Sequence, residues 1–595
     1  MCNTIDLNSS MAIATSWESI HWKKMNATVT KLRGKIYKAK KRNKIKLVRR
    51  FQDRLLRSKA NILLSIRKVT SINVGKRTPG LDKILIKTNK ERWELFNDIC
   101  QLKRSDWTSI AKPTKRIYIP KPNGKLRPLG IPSIMDRVIQ NIVKNALEPE
   151  WEALFESCSY GFRPSRSCHD ALTRIFNITA RQKTRLWVLD ADIKGCFDNI
   201  DHNLLLETLD DFPAKEVIKA WLKAGYCEFP SEEIFETSQG TPQGGVISPL
   251  LANIALHGME KVLGIKTVST TGHNYGSNKF SLVRYADDFI VFARTKEECE
   301  EAKRVLDEWL KKRGLEFAPE KVSIRHLSEG IKFLGCSVRL YGKTNPTLLI
   351  KPHPEKVKAF RARLREIWLK KKGRAPLEVV TELNPIIRGW ANYYNPFVSS
   401  EVFAGLDHFM WHRAWRYAKR RHPNKSHKWI AKKYFGREIG SSRDKWRFYA
   451  EVNKGSRIFL IKFSNFKIRR HVGVKNLMCP DDLSKKSQMY WEKRNANKQY
   501  RKWGAYESRL KLSKKQYHIC PICMESLYND EELHVHHIKA KKDGGKDTYG
   551  NLVILHELCH RQIHSLKIGE KELRDLLYKL RKNMKNKLFP VEPIE

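Results

Sequence analysis

The stretch "VRYADDFIVFA", residues 283–293, decides how the rest of the chain is read. Val, Phe and Ile in such density read as a buried strand. Asp287 and Asp288 interrupt that run with two adjacent carboxylates, and like charges side by side repel. A hairpin turn accounts for Asp in turn positions. A bound divalent cation accounts for both.

A partner for the doublet lies upstream in "LWVLDADIKGCFDNIDH", residues 186–202. There Asp192 ends another apolar strand run, Gly195 follows in a loop, and Asp190 lies two residues earlier on the same strand face. Metal-dependent nucleotidyl transfer needs carboxylates that hold two divalent ions roughly 4 Å apart, one at the attacking hydroxyl and one at the leaving oxygen. Ions of the Mg²⁺ type take oxygen ligands, so Asp is the expected residue. Asp192, Asp287 and Asp288 are expected to converge on such a pair.

Composition agrees with a nucleic-acid enzyme. The 595 residues include 115 Lys+Arg against 63 Asp+Glu, a formal charge of +52 spread through most of the chain. That excess points to a polyanionic partner, since a merely solubilising surface would balance its charges. The length calls for several domains. Twelve Cys with a single CxxC pair make no disulfide framework and suit a reducing, cytoplasmic compartment. No run of ~20 apolar residues and no secretion signal occurs, so no membrane span is expected. The N-terminus lacks an Arg-rich, acid-poor transit pattern, leaving a bacterial and an organelle-encoded gene both open.

Five regions follow from patterning. Residues 1–80 form a basic N-terminal extension with helical periodicity, closing at "GKRTPGLD". Residues 81–350 alternate strand-like and helical runs, the pattern of a mixed α/β domain. Residues 351–460 open with helical patterns, the first stepping by three and four through Val357, Phe360, Leu364 and Ile367. Residues 461–510 are basic and helical in character. Residues 511–595 carry a Cys/His cluster of metal-ligand character.

"YADD" and "LDADIKGCFD", with "SQGTPQGGVISPLLANIALH" (238–257), "IPKPNGKLRPLGIPSIMDRVIQ" (119–140), "SYGFRPSRSCHDA" (159–171) and "IKFLGCSV" (331–338) in order, resemble a reverse transcriptase of the group II intron-encoded kind. The resemblance implies a right-hand polymerase in which 81–350 are fingers and palm and 351–460 a helical thumb. It makes Asp192, Asp287 and Asp288 the catalytic ligands of two Mg²⁺ ions. Lys121 and Arg127 would hold the dNTP triphosphate, whose phosphates need donors and positive charge. Phe197 would wall off the sugar 2′-OH, and Gln243 would shape the nucleotide pocket beside the backbone freed by Gly244 and Gly245.

In the tail, "CPIC" (520–523), "HVHHI" (534–538) and "GGKDTYGNLVILHELCHRQIH" (544–564) resemble an HNH endonuclease of the ββα-metal type. On that resemblance Cys520, Cys523, His556 and Cys559 form a structural Zn²⁺ site, with His556 where many relatives carry Cys. His560 and His564, four apart on one helix face, join His536 around a second divalent ion of the Mg²⁺ type. His537 is then the general base, and Asn551 orients its imidazole through a side-chain bond. A zinc module that only binds DNA would explain the Cys residues but not the His and Asn register.

Between the two enzymes, "IIRGWANYYNPF" (386–397) and "MWHRAWRYAKRRHPNKSHKWIAKKYF" (410–435) interleave aromatic rings with cations, as RNA binding requires. "RGWANYY" resembles the maturase thumb. Trp390 and Tyr394 are expected in its core, with the charges facing RNA. Together the resemblances imply a protein that binds group II intron RNA and promotes its splicing, nicks one strand of a double-stranded DNA target, and copies the intron from the freed 3′-OH. A non-catalytic RNA chaperone would not need three intact aspartates. A defence-type reverse transcriptase would need neither this thumb nor this tail.

Overall fold

The computed structural model describes residues 15–588 except 121–123, 125, 183, 229–232, 267–277, 343, 345, 438–443, 454–455, 476–477, 504–506 and 528–530. The opening stretch folds as a hairpin of Ser281–Tyr285 and Asp288–Ala293, with Tyr285 paired to Asp288. Trp187–Ala191 lies antiparallel to its second strand, Ala191 opposite Phe289. Ser323–His326 pairs with the far side of Trp187–Ala191 to complete a four-stranded sheet.

Both faces of this sheet are buried, which is why its strands read as continuous apolar runs. Leu189, Leu282, Phe289 and Val291 enter one core together with Cys299, Ala302 and Leu306 of the helix Lys296–Lys311. Val188, Val283, Ile290 and Phe292 enter the other, with Leu172 and Ile175 of the helix Cys168–Gln182. Each such side chain contributes about 1.5–3 kcal/mol when fully buried. Slipping the register by one residue would exchange the two faces and carry Asp192 away from the turn, so packing fixes the alignment of the carboxylates.

Beside this palm stands a second sheet in the order Leu126–Ile131, Thr114–Pro120, Tyr226–Glu228, Ile234–Phe235. The N-terminal helices Trp22–Lys41, Ile45–Leu56 and Lys59–Arg67 pack on the long helix Ile134–Glu152 and share the first core. Their basic faces are partly spent there: Lys40 and Arg49 both reach Glu150 at 2.7 Å.

The thumb is three helices, Pro354–Lys370, Pro376–Tyr394 and Ser400–Arg421. Trp390 stacks on Phe360, ring centroids 4.6 Å apart and planes 8° from parallel. Tyr394 donates its hydroxyl to the Gly335 carbonyl at 3.1 Å, seating the thumb on the "FLGC" turn. Trp390 and Tyr394 are therefore core residues, as their helical spacing predicts. A small sheet of Phe435–Gly436, Arg447–Asn453 and Ser456–Phe459 follows.

Helix in the next basic segment starts only at Lys485. Residues 463–475 and 478–484 instead form an irregular strap, because their polar groups find partners on three other elements. Asp407 of the thumb accepts from the Phe463 and Ser464 amides at 2.6 and 3.0 Å. Buried Asp170, on the helix Cys168–Gln182, accepts from the Val474 amide at 2.8 Å and the His471 ring at 2.9 Å. Asp481 pairs with Arg33 of the first helix at 2.8 Å. Past this strap and two helices, Leu533–His537 and Leu552–His556 form an antiparallel hairpin followed by the helix Glu557–Ser565, a ββα unit.

Candidate active sites

The palm register carries the first site. Ala191 pairs with Phe289, so the next residue of each strand brings Asp192 beside Asp288, with Asp287 in the two-residue turn. Crowding shows in the electrostatics. Burial, then Asp287, Asp192 and Asp190, push Asp288 up to about 7. Burial and Asp192 also raise Asp287. Asp190 is pushed up to about 6, by burial first and then by Asp192. Lys321, at the end of the short helical turn Pro319–Lys321, forms an ion pair with Asp192. A cluster of oxygens that repel one another in this way fits divalent cations of the Mg²⁺ type.

The turn is held from beneath. Ala286 adopts a left-handed φ of 61°, a conformation that surrounding structure must enforce. Tyr160 donates its amide to the Arg284 carbonyl at 2.9 Å. A Cβ on Gly161 would lie 2.3 Å from the Ala286 nitrogen, so glycine is required there. Arg284 is wholly buried and donates to the Ala286 carbonyl at 3.2 Å and to Asn253 Oδ1 at 3.1 Å. Neither Lys321 nor Arg284 is marked out in the sequence among 115 basic residues.

The residues expected at the nucleotide pocket have contacts of their own. Arg127 stands exposed on the strand Leu126–Ile131, and its charge acts on Asp287. The Phe197 ring meets Phe162 edge-on at 6.0 Å, and the Phe197 carbonyl accepts from the Thr241 amide at 2.6 Å. Gln243 accepts at its carbonyl from the Gly130 amide at 2.9 Å. A Cβ on Gly244, whose φ is 137°, would lie 2.4 Å from the Gly130 carbonyl oxygen. Gly244 thus admits the neighbouring strand at Gly130. Lys121 lies outside the described residues.

Both metal sets expected in the tail assemble. The ligand atoms of Cys520, Cys523, His556 and Cys559, all buried, lie within 4.8 Å of one another. His556 Nε2 donates to the Ser526 carbonyl at 3.1 Å, which turns the lone pair of Nδ1 toward Cys523 Sγ, 3.2 Å away. A Cys₃His set oriented by a backbone carbonyl fits tetrahedral Zn²⁺. His536, His560 and His564 form the second set, with ligand atoms again within 4.8 Å of one another. Burial, then His560 and His564, push His536 down to about 4, so it is neutral and ready to ligate at neutral pH.

The expectation for Asn551 needs correction. Its side chain does not hold His537. Nδ2 donates to the Lys539 and Lys546 carbonyls, each at 3.0 Å, and Oδ1 accepts from the Lys539 amide at 2.8 Å. Asn551 braces the loop between the two strands, because a 7 % exposed amide satisfies the backbone that closes over it. The imidazole's partner is Asp547 in that loop. His537 Nε2 lies 2.6 Å from Asp547 Oδ1, and Lys541 steadies the other oxygen at 2.9 Å.

Comparison with known families agrees with this geometry region by region. Residues 17–99 match the N-terminal domain of reverse transcriptase and 119–338 the reverse transcriptase (RNA-dependent DNA polymerase) family. Residues 357–435 match the group II intron maturase-specific domain and 520–566 the HNH endonuclease family. Fold and sites define an RNA-directed DNA polymerase joined to a DNA endonuclease. The group II intron-encoded protein LtrA of Lactococcus lactis subsp. cremoris is 29% identical over 559 residues, covering 77% of this chain and 87% of that one. Protein YkfC of Escherichia coli (strain K12) is 33% identical over 318 residues, covering 48% of this chain and 82% of that one. The chain belongs to the group II intron-encoded proteins, with reverse transcriptase, maturase and HNH endonuclease domains in one polypeptide.

Proposed function

We propose that this chain, in the cytoplasm, binds its intron RNA as a ribonucleoprotein, promotes splicing, and copies the intron into a double-stranded DNA target with dNTPs from a primer that the target supplies. The convergence of Asp192 with Asp287 and Asp288 on one sheet edge carries this reading. Two Mg²⁺ ions held by these carboxylates would supply the Lewis acidity that activates the primer hydroxyl and steadies the leaving oxygens. Arg127 pairs with the triphosphate, Phe197 packs against the sugar, and Gln243 anchors its loop to the fingers. Lys321 offsets negative charge beside Asp192.

RNA binding has its own support on the thumb. Arg365, Arg413 and Arg416 crowd one face with no acidic partner among the described residues, and burial and then the other two guanidinia lower Arg413. Arg361 and Arg413 lie over the Phe409 ring at 5.5 and 5.2 Å. Cations around a half-buried ring suit phosphates and an unpaired base. Among the described residues no helix is long and apolar enough to cross a membrane.

In the nuclease, a divalent transition-metal ion, which imidazole suits better than Mg²⁺, would be held by His536, His560 and His564 and would supply positive charge at the scissile phosphate. His537 takes the proton of the attacking water at Nδ1, because Asp547 holds the hydrogen on Nε2. Asn551 fixes the loop that presents Asp547. The test is a target-primed reaction with the ribonucleoprotein and an end-labelled duplex. Wild type should yield cDNA joined to target DNA and a nick in the second strand. Asp192→Asn should abolish the cDNA and leave the nick, whereas His537→Ala should abolish the nick and with it the target-primed cDNA, while extension of a supplied primer continues. Loss of nicking in Asp192→Asn, or of supplied-primer extension in His537→Ala, would contradict two separate sites.

A further inference from the structure

The nuclease module is seated on the N-terminal helices through a buried ion pair. Arg67, at the end of the helix Lys59–Arg67, donates from Nη2 to both oxygens of Glu531, at 2.8 and 2.9 Å. Their side chains are 3 % and 5 % exposed. The Arg67 guanidinium also lies 4.7 Å from the Trp22 ring. Gln562, on the helix that bears His560 and His564, donates to the Glu18 carbonyl at 2.7 Å. Trp17, Ile20 and Trp22 share one hydrophobic core with Cys520, Cys523 and Cys559.

Arg67 has a second electrostatic neighbour. Burial opposes its charge, yet Glu531 and then Cys559 and Cys523 hold it in place. Among the described residues its buried Nε has no hydrogen-bond partner, an unusual state for so polar an atom. A Cys₃His zinc centre has three thiolates against one divalent ion and keeps one negative charge. In a dry interface that charge needs a cation, and here the cation comes from a different domain.

We propose that Arg67 is an outer-sphere partner of the zinc centre, so that zinc retention and docking of the nuclease on the N-terminal domain are coupled. This rests on reading the Cys₃His cluster as a zinc site. Coupling is reciprocal: docking holds the zinc, and loss of zinc releases the nuclease from the N-terminal helices. Glu531 acts oppositely on the metal. It anchors Arg67 mechanically, but its own charge repels the thiolates.

The test uses the full-length protein, with primer extension as the control for folding. Zinc content is measured first; a wild type without zinc would overturn the zinc reading itself. Zinc release to a chromophoric chelator is then followed, with limited proteolysis of the linker helix Glu507–Lys515 reporting docking. Arg67→Met should release zinc roughly 10- to 100-fold faster, the range seen when an outer-sphere partner is lost, and should expose the linker. Arg67→Lys should retain most of the zinc and guards against a folding defect in the Met variant. Glu531→Gln should expose the linker without speeding zinc release. Equal acceleration by Arg67→Met and Glu531→Gln would reduce the contact to mechanical support and overturn the proposal. Unchanged release in Arg67→Met would also overturn it.

Discussion

In the palm, three carboxylates from two strands meet at a sheet edge and repel one another. In the nuclease, three imidazoles meet on a single hairpin and helix, and a Cys₃His set ties that unit to the turn that carries Cys520 and Cys523. The palm fold is specified without metal: its sheet is packed on both faces by two large cores, and the ligands sit at the rim as a local liability. The ββα unit is small, and its zinc ligands lie inside the core they help to form. Ligand location therefore decides what a metal does for folding. Rim ligands make the cation a reagent, whereas core ligands make it part of the fold.

The sharpest way to break this comparison is to remove ligands from each site. Asp287→Ala with Asp288→Ala should cut primer extension by roughly 10²–10⁴-fold, the several kcal/mol of transition-state stabilisation that a metal supplies. Splicing should continue, and metal-free melting should not fall, since the deletion relieves repulsion. Cys520→Ser should instead unfold the nuclease module, detected as lost zinc and proteolysis of the tail, with primer extension intact. A palm variant that melts early would show that the rim ligands are structural after all.

A finer cut separates base from ligand in the nuclease. His537→Ala should keep its zinc and lose nicking by roughly 10²–10⁴-fold. Asp547→Asn should lower the nicking rate by about tenfold, because the imidazole loses its orienting partner while the base itself remains. Affinity for the target duplex should not change, and Asp547→Glu should recover part of the rate. An Asp547→Asn nicking rate equal to that of wild type would remove Asp547 from the mechanism.

The smallest effect lies in pH. Burial and neighbouring carboxylates raise Asp288 to about 7 and Asp190 to about 6. An acid whose pKa is raised in the fold gives stability that is full below its unfolded value, about 4, and lost as pH climbs through the folded one. Metal-free protein should therefore melt lower at about pH 8 than at about pH 5. Asp288→Asn should flatten that difference, and Mg²⁺ should erase it. Equal melting at both values without metal would mean the carboxylates are screened from one another.

Sequence carried the ligands further than their supports. Asp192, Asp287 and Asp288 stand out because charge is anomalous in an apolar strand, and the Cys/His set because its spacing is a metal's spacing. Lys321 meets Asp192 from 129 positions away, and nothing local in "PEKVS" announces it. Arg284 reads as one more cation, although it is buried beneath the turn. Asn551 was legible as a site residue but not by its partner, since an amide serves a backbone as readily as a ring. Gly244 was legible as a close approach, whereas what approaches is set by tertiary packing. The strap reads as basic and helical because its real partners lie on the thumb, the palm and the first helix.

That strap has a consequence in time. Arg33 emerges early in synthesis, but Asp481, which it binds through Nε, follows 448 residues later. At 5–20 residues per second the interval is roughly 20–90 s. Glu148, bound to the same guanidinium at 2.9 Å, arrives much sooner. The first helix can thus dock on the helix Ile134–Glu152 while its outer flank waits, and Gly34 stays open to solvent until Leu483 covers it. A nascent chain interrupted before residue 481 exposes the surface that Asp481 and Leu483 later seal, so the seal distinguishes a chain that has passed the strap from one stalled before it.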